Sequence, residues 1–314
     1  MHVGAMERAG LAPVALIDPD PARRALLGRP WPGITLASTP DEVMDRFDAV
    51  IVAVPDVLHR PLVIELLEAG KDVLVEKPMA GTRADADAMV ATAETSGRML
   101  AVAQVRRHLA VKPWAFEVIR SGALGPISQV VASDGGRDDW IATGPGYVDQ
   151  ALGGVIASSG VYTIDLLAWW FGPLEVRSCT DDARGWQEAD ATIELAAGDV
   201  PIHFELSRIR SKRNTVRVEG ERGVLEVALD HFQPRQLVAV PDGLDVAPFA
   251  EVVDDLGVQF DRQLRAFRDA LDGRWPPTLA TAADGALIAA VVEDCYACRT
   301  LDEPWWMRSA ATAR

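Results

Sequence analysis

Short apolar runs alternate with segments of helical period over the first hundred residues. PVALID (13–18), ITLAS (34–38), DAVIVAVP (48–55), DVLVEKP (72–78) and MLAVAQV (99–105) predict strands, apolar enough to be buried on both faces. PARRALLG, TPDEVMD, HRPLVIELLEAG and TRADADAMVATAETSG, lying between them, predict helices. Thr39 is expected as the N-cap ahead of Pro40, and Gly70 as the residue that closes the third helix. Strands separated by helices in this way imply a parallel sheet covered on both faces, doubly wound by right-handed crossovers.

Beyond residue 108 the pattern changes. The helix KPWAFEVIRSGALG leads into PISQVVASDGG, and then ATIELAA, PIHFELSRI, NTVRVEG, GVLEVAL and QLVAV alternate apolar with polar positions. That alternation predicts a mostly antiparallel sheet with one wetter face. Ile202, Phe204 and Leu206 point to one side, His203 and Glu205 to the other; one side must cover the domain's own helices and the other is available to a partner. Helices are expected at 257–273 and 281–301. The chain therefore divides into residues 1–107, a Rossmann-like unit, and residues 108–314, an α/β domain with an open sheet.

The amino-terminal end departs from this scheme. Asp18 closes a strand and precedes a helix, as the acid of the second strand does in a dinucleotide-binding unit. There the first strand and a glycine-rich turn lie roughly 20 residues upstream of that acid. Here the preceding stretch MHVGAMERAG reads as a helix, and the strand and loop are missing from the pattern.

Composition narrows the partners. Among 314 residues, 31 basic against 46 acidic side chains give a net charge of −15, which disfavours nucleic acid and anionic membranes. No apolar run nears the roughly 20 residues of a membrane helix, and no charged-then-apolar leader is present, so a cytoplasmic location is expected. Cys179, Cys295 and Cys298 form no disulfide framework. The last two make a CxxC inside a helical pattern without a second Cys/His pair, and no metal site is expected.

The stretch IVAVPDVLHRPLVIELLEAGKDVLVEKPMA ends two buried strands in proline-bearing turns, VPDVLH and EKP. Ligands of open α/β sheets bind outside these carboxyl edges, so the Lys77 ammonium is placed at the mouth of the crevice. Together with ALIDPDPAR, IRSGALGPI, ALGGVIASSGVYTIDLLAWWFG and VEGERGVLEV, this order and spacing resembles the Gfo/Idh/MocA oxidoreductases, the family of glucose–fructose oxidoreductase and inositol dehydrogenase.

The resemblance implies a Rossmann domain followed by an open-faced α/β domain, and an NAD-dependent oxidation of a CH–OH group in a sugar, nucleotide sugar, cyclitol or similar polyol. It makes Lys77 the catalytic lysine beside the nicotinamide. In GGVIASSGVYTID the family's frequent Asp-x-x-x-His-x-x-Asp becomes Ser158, Tyr162 and Asp165. Tyrosine at the histidine position resembles the glucose–fructose oxidoreductase and dihydrodiol dehydrogenase branches, so Tyr162 is the implied acid/base and Asp165 a further catalytic candidate. Asp18 is the implied ribose acid, favouring NAD over NADP because a carboxylate repels a 2′-phosphate. Pro55, His59 and Glu76 complete the cofactor edge, while Arg106, His108 and Trp140 face the substrate. Relatives of this kind form dimers or tetramers through the open sheet.

The pair suits the chemistry. A free tyrosine, with a pKa of about 10, is a poor base at neutral pH, and an ammonium a few ångströms away favours its phenolate. Two accounts of the missing loop stay open: Met1 is an internal methionine of a longer protein, or the loss is genuine and the chain is a cofactor-free relative. A lyase, epimerase or glycosidase using nicotinamide transiently is a further enzymatic alternative.

Overall fold

The computed structural model describes residues 2–136, 154–183, 187–229 and 256–302. The chain groups into two compact units, Met1–Ala110 with Val253–Ala286, and Val111–Val252 with Leu287–Arg314. Neither unit is a single stretch of chain.

The first unit opens with helix α1 (His2–Arg8), followed by β1 (Ala15–Ile17), α2 (Pro21–Gly28) and β2 (Thr35–Ala37). Asp20 caps α2, its side chain accepting from the Ala22 and Arg23 amides while Pro21 supplies the preset first turn. Next come β3 (Ala49–Val52), α3 (His59–Glu68), β4 (Asp72–Glu76), α4 (Arg83–Ser96) and β5 (Leu100–Ala103). Gly70 follows α3 with φ +79, and Thr82 caps α4 by accepting from the Asp85 amide. Residues 40–46 differ from expectation: they form a 3-10 turn, and Thr39 makes no capping bond through its side chain. The Glu42 carboxylate instead reaches back to the Ser38 amide (3.2 Å) and hydroxyl, so the polar cap comes from inside the turn.

All strands through β5 pair in parallel, but in two sheets. β1 lies beside β2, whereas β3, β4 and β5 form a separate row. A doubly wound sheet runs 3-2-1-4-5-6, and the break between the β1–β2 pair and β3 falls where that order seats its first strand.

The second unit begins with α5 (Val111–Arg120) and β6 (Ile127–Gly135), then α6 (Val161–Phe171), β7 (Glu175–Asp181), β8 (Asp190–Ala197), β9 (Val200–Ser207), β10 (Thr215–Gly220) and β11 (Gly223–Ala228). Beyond it the chain supplies α7 (Leu256–Leu271), β12 (Ala280–Thr281), α8 (Ala282–Ala297) and β13 (Arg299–Leu301). The seven-stranded sheet runs β11-β10-β6-β9-β8-β7-β13. It is mostly antiparallel; β6–β9 and β7–β13 are the parallel pairs.

Ile202, Phe204 and Leu206 are buried against α5 and α6 together with Trp170, Ile193 and Val218. His203 on the other face bonds Glu194 at 2.6 Å, and Lys212 bonds Glu205 at 2.9 Å. The helix expected over 281–301 stops at Ala297, because Arg299–Leu301 extend beside β7 in register with Cys179–Asp181. The expected strand QLVAV lies outside the described residues.

α7 and β12 belong to the first unit. Leu264 and Phe267 of α7 are buried with Ala5, Ala9, Leu74, Ala101 and Ala103, and Arg8 Nε donates to both carboxylate oxygens of Asp261, at 2.8 and 2.9 Å. No helix among the described residues is long and apolar enough to cross a membrane.

Candidate active site

In the first unit the carboxyl ends of β3, β4 and β5 share one edge, because the three strands are parallel. β3 runs out through Val54 and Pro55 into a 3-10 turn, Asp56–Leu58, that opens α3. β4 ends at Glu76, with Lys77 and Pro78 joined by a cis peptide bond. β5 is followed by Gln104 and a 3-10 turn over Val105–His108.

His59 joins two of these turns. It is only 1% exposed, and its ring lies between the Val54 carbonyl (3.0 Å from Nε2) and the Pro78 carbonyl (3.0 Å from Nδ1). The side chain read as a cofactor contact thus lies with each ring nitrogen 3.0 Å from a backbone carbonyl of this edge.

Lys77 is the perturbed cation of this edge. Burial pushes its ammonium down to about 8; the Glu76 carboxylate opposes that, the Arg106 guanidinium adds to it, and Asp56 opposes it more weakly. Glu76 accepts from the Lys77 amide through Oε2 (3.1 Å) and bonds His2 Nε2 through Oε1 (2.7 Å). Burial alone would raise the Glu76 carboxyl, but the His2 hydrogen bond and the neighbouring charges hold it below the ordinary carboxylate value. The strand-end acid and lysine are therefore both ionised near neutrality.

Of the residues expected to face substrate, Arg106 is half-buried at this same edge and contributes to the Lys77 field. His108 is 4% exposed, and burial next to Arg107 and Arg262 pushes its imidazole down to about 3, so it is neutral at any working pH. Trp140 lies outside the described residues. Asp18 follows β1 on the other parallel pair. One of its oxygens accepts from the Asp20 amide at 2.8 Å, and the other lies 3.7 Å from Arg23.

The second unit positions the other candidates. A π-type turn, Ile156–Gly160, runs directly into α6, which carries Tyr162 half-buried in its first turn and Asp165 buried one turn on. Thr163 donates to Asp134 at 2.8 Å inside the core, and Ser158 accepts from Arg208 at 2.9 Å. Glu188 pins the start of the turn: its Oε1 accepts from the Ile156 amide (3.0 Å) and the Tyr296 hydroxyl (2.9 Å). Gly154 lies so close to Glu188 that a Cβ there would collide with the carboxylate and the backbone behind it. Trp169 stacks on Phe116 with ring centres 4.7 Å apart.

His2, Glu188 and Asp134 were not singled out from sequence. Their partners lie 74, 32 and 29 residues away, beyond any local pattern. For His2 the available signal was a histidine in the first turn of a helix preceding strand ends.

A dinucleotide fits this chain at two points. The acid after β1 suits a ribose, and the charged strand end of β4 suits the nicotinamide side. Gln104 adds a buried carbonyl oxygen, Oε1, with no hydrogen-bond partner among the described residues, a group that a polar ligand could satisfy. The sequence contains no G-x-G-x-x-G, so the described residues offer no glycine loop for a pyrophosphate.

Comparison with known proteins agrees with these features. Residues 1–104 match the description "Oxidoreductase family, NAD-binding Rossmann fold" and residues 114–226 match "GFO/IDH/MocA C-terminal domain". The chain is 29% identical over 301 residues to inositol 2-dehydrogenase 1 of Saccharopolyspora erythraea, covering 91% of this chain and 86% of that protein. It is 27% identical over 246 residues to trans-1,2-dihydrobenzene-1,2-diol dehydrogenase of Sus scrofa, covering 75% and 72% of the two chains. Aldose-aldose oxidoreductase from Caulobacter crescentus, solved with glycerol, superposes with a TM-score of 0.75 at 26% identity, over 94% and 92% of the chains. The WlbA dehydrogenase of Bordetella pertussis, solved with NADH and UDP-GlcNAcA, shares the fold with a TM-score of 0.79 at 21% identity, over 95% and 91%.

Proposed function

Because the chain belongs to the Gfo/Idh/MocA family of oxidoreductases, we propose that it oxidises a CH–OH group of a sugar or cyclic polyol, with NAD as its redox partner. The observation that carries this reading is the buried Lys77 at the carboxyl end of β4, near Glu76, Arg106 and Asp56, where burial brings its ammonium down to about 8 against the opposing carboxylates. When bound, the nicotinamide supplies the acceptor for the two electrons leaving the carbinol carbon. The chain's own residues handle the proton and the orientation. Tyr162 takes the hydroxyl proton, Lys77 supplies the positive charge that favours its phenolate, and Asp165 orients or relays behind it. Arg106, His108 and Trp140 bind substrate.

Asp18 would accept the ribose hydroxyls, with Pro55, His59, Glu76 and Lys77 as the cofactor contacts at the ends of β3 and β4. Its carboxylate favours NAD, whereas the exposed Arg23 at 3.7 Å supplies a cation suited to a 2′-phosphate. Both cofactors therefore belong in the test. These relatives suggest the substrate panel: inositols, trans-dihydrodiols and aldoses. Nicotinamide reduction should appear with at least one panel member and vanish in Lys77→Ala. A panel that turns over equally well in Lys77→Ala overturns the reading.

The polar outer face of the seven-stranded sheet, around His203 and Glu205, is the surface proposed to form a homodimer or homotetramer.

The separation of the β1–β2 pair from the row of β3, β4 and β5 favours a second reading, a cofactor-free binding protein. Calorimetry of this chain and of one extended by a strand and G-x-G-x-x-G separates the two. Under the first reading the extended chain binds NAD far more tightly; equal silence in both forms supports the second.

A further inference from the structure

The first turn of α1 touches the strand end that carries the lysine. A carboxylate can only accept, so the 2.7 Å contact between His2 Nε2 and Glu76 Oε1 requires the proton on Nε2. The imidazole is packed edge-on against Phe260 of α7 (centroids 5.1 Å, interplanar angle 84°), and its Nδ1 is buried without a partner among the described residues. The ring therefore makes one polar bond, and that bond goes to Glu76. The same carboxylate reaches the Lys77 amide through its second oxygen, at 3.1 Å.

We propose that His2 is a positioning residue for Lys77: it holds the Glu76 carboxylate, ionised and aimed, against the lysine, and so keeps the ammonium form available at this edge. The need is physical. Lys77 sits where burial works against its charge, with Arg106 nearby as a like charge. Glu76 and Asp56 are the acids that oppose this, and Glu76 is itself disfavoured by burial unless a donor satisfies it. Remove the His2 donor and Glu76 drifts toward its neutral form. Lys77 then loses support and deprotonates more easily.

The inference rests on Lys77 having the role given above, but its test needs neither cofactor nor turnover. The full chain has four lysines: Lys71, Lys77, Lys112 and Lys212. Competitive acetylation with acetic anhydride across pH 6.5–10.5, read by mass spectrometry at each lysine, gives the midpoint of Lys77 with the others as internal references. Glu76→Gln should lower that midpoint by roughly one unit or more. His2→Leu should lower it by about half a unit or more, and His2→Gln, which keeps an N–H donor, should restore most of the loss.

In Glu76→Gln the further change His2→Leu should do nothing, since the path runs through the carboxylate. An unmoved midpoint in His2→Leu, or an equal shift with and without Glu76, overturns the proposal. If His2→Leu does not fold, the nitrogen chemical shifts of His2 in the unmodified protein decide: Nε2–H supports the link, and Nδ1–H with a bare Nε2 refutes it. A negative result here leaves the turnover test standing. A turnover that ignores Lys77 would in turn leave this link intact.

Discussion

Exchanging Lys77 for arginine separates the charge of this side chain from its titration. A lysine brought down to about 8 is about ten-to-one charged at pH 7 and one-to-ten at pH 9. In the proposed role the charged form supports ionisation of Tyr162, so the lysine-dependent part of kcat should fall about tenfold between pH 7 and pH 9. The sign follows from the direction of the shift: a depressed cation loses its proton as pH rises through the lowered value, well before an ordinary lysine does. Arginine stays charged beyond about pH 12, so Lys77→Arg should show reduced turnover without the limb near pH 8. Lys77→Met should lose on the order of 10²–10⁴ in kcat at every pH. Initial rates of nicotinamide reduction from pH 6 to pH 10, with the best substrate of the panel, provide the assay. A limb near pH 8 that persists in Lys77→Arg refutes the reasoning. A wild-type rate that rises through this range would make the neutral amine, not the ammonium, the working form.

Three further outcomes are expected. Tyr162→Phe keeps the ring but removes the proton carrier, so kcat should fall on the order of 10²–10⁴ while NAD affinity by calorimetry barely changes; a loss within about threefold makes the tyrosine a packing residue. Glu188→Ala leaves the buried Ile156 amide and Tyr296 hydroxyl without their acceptor and should cost about 2–4 kcal/mol, read by urea unfolding. No measurable loss would show that water replaces the carboxylate. Light scattering of the folded chain should give a multiple of the 33.9 kDa monomer, and a Glu205→Lys/His203→Asp pair should reduce it if the polar sheet face is the interface. A monomeric mass in the parent chain rules that face out as an assembly surface.

The elements that the sequence made legible are those with a strong period and a local stop. Strands such as Val73–Val75, fully buried, stand out as unbroken apolar runs, and the Asp20 and Thr82 caps lie within three residues of what they bind. β7, β12 and β13 were not read, because each exists by pairing. Ala280–Thr281 is a strand only beside Val102 and Ala101, and Arg299–Leu301 only beside β7. The site divides in the same way. Lys77, Asp18 and Tyr162 sit in short motifs with characteristic neighbours. The roles of His59, set among three backbone carbonyls, and of His2, bonded to Glu76, depend on what the fold brings near each ring. The exposed Glu42, which folds back on Ser38, shows the same limit at a smaller scale: either end of a turn can supply the cap.

The placement of α7 has a consequence for how the chain is made. Leu264, Phe267 and Leu279 complete the core around Leu74 and Ala101, so the unit that is translated first lacks part of its interior until its last contributors emerge. Roughly 150 residues separate Ala110 from Leu256, which at about 5–20 residues per second is a wait of about 7–30 s. During that interval the apolar surface around Leu74 and Ala101 and the β5 edge that β12 later pairs with are exposed to other nascent chains, the circumstance in which unpaired strands aggregate. Synthesis that slows before Leu256 should therefore cost soluble yield, whereas a pause after Thr281 should be harmless to the first unit. Order of translation is a vulnerability here that the finished fold conceals.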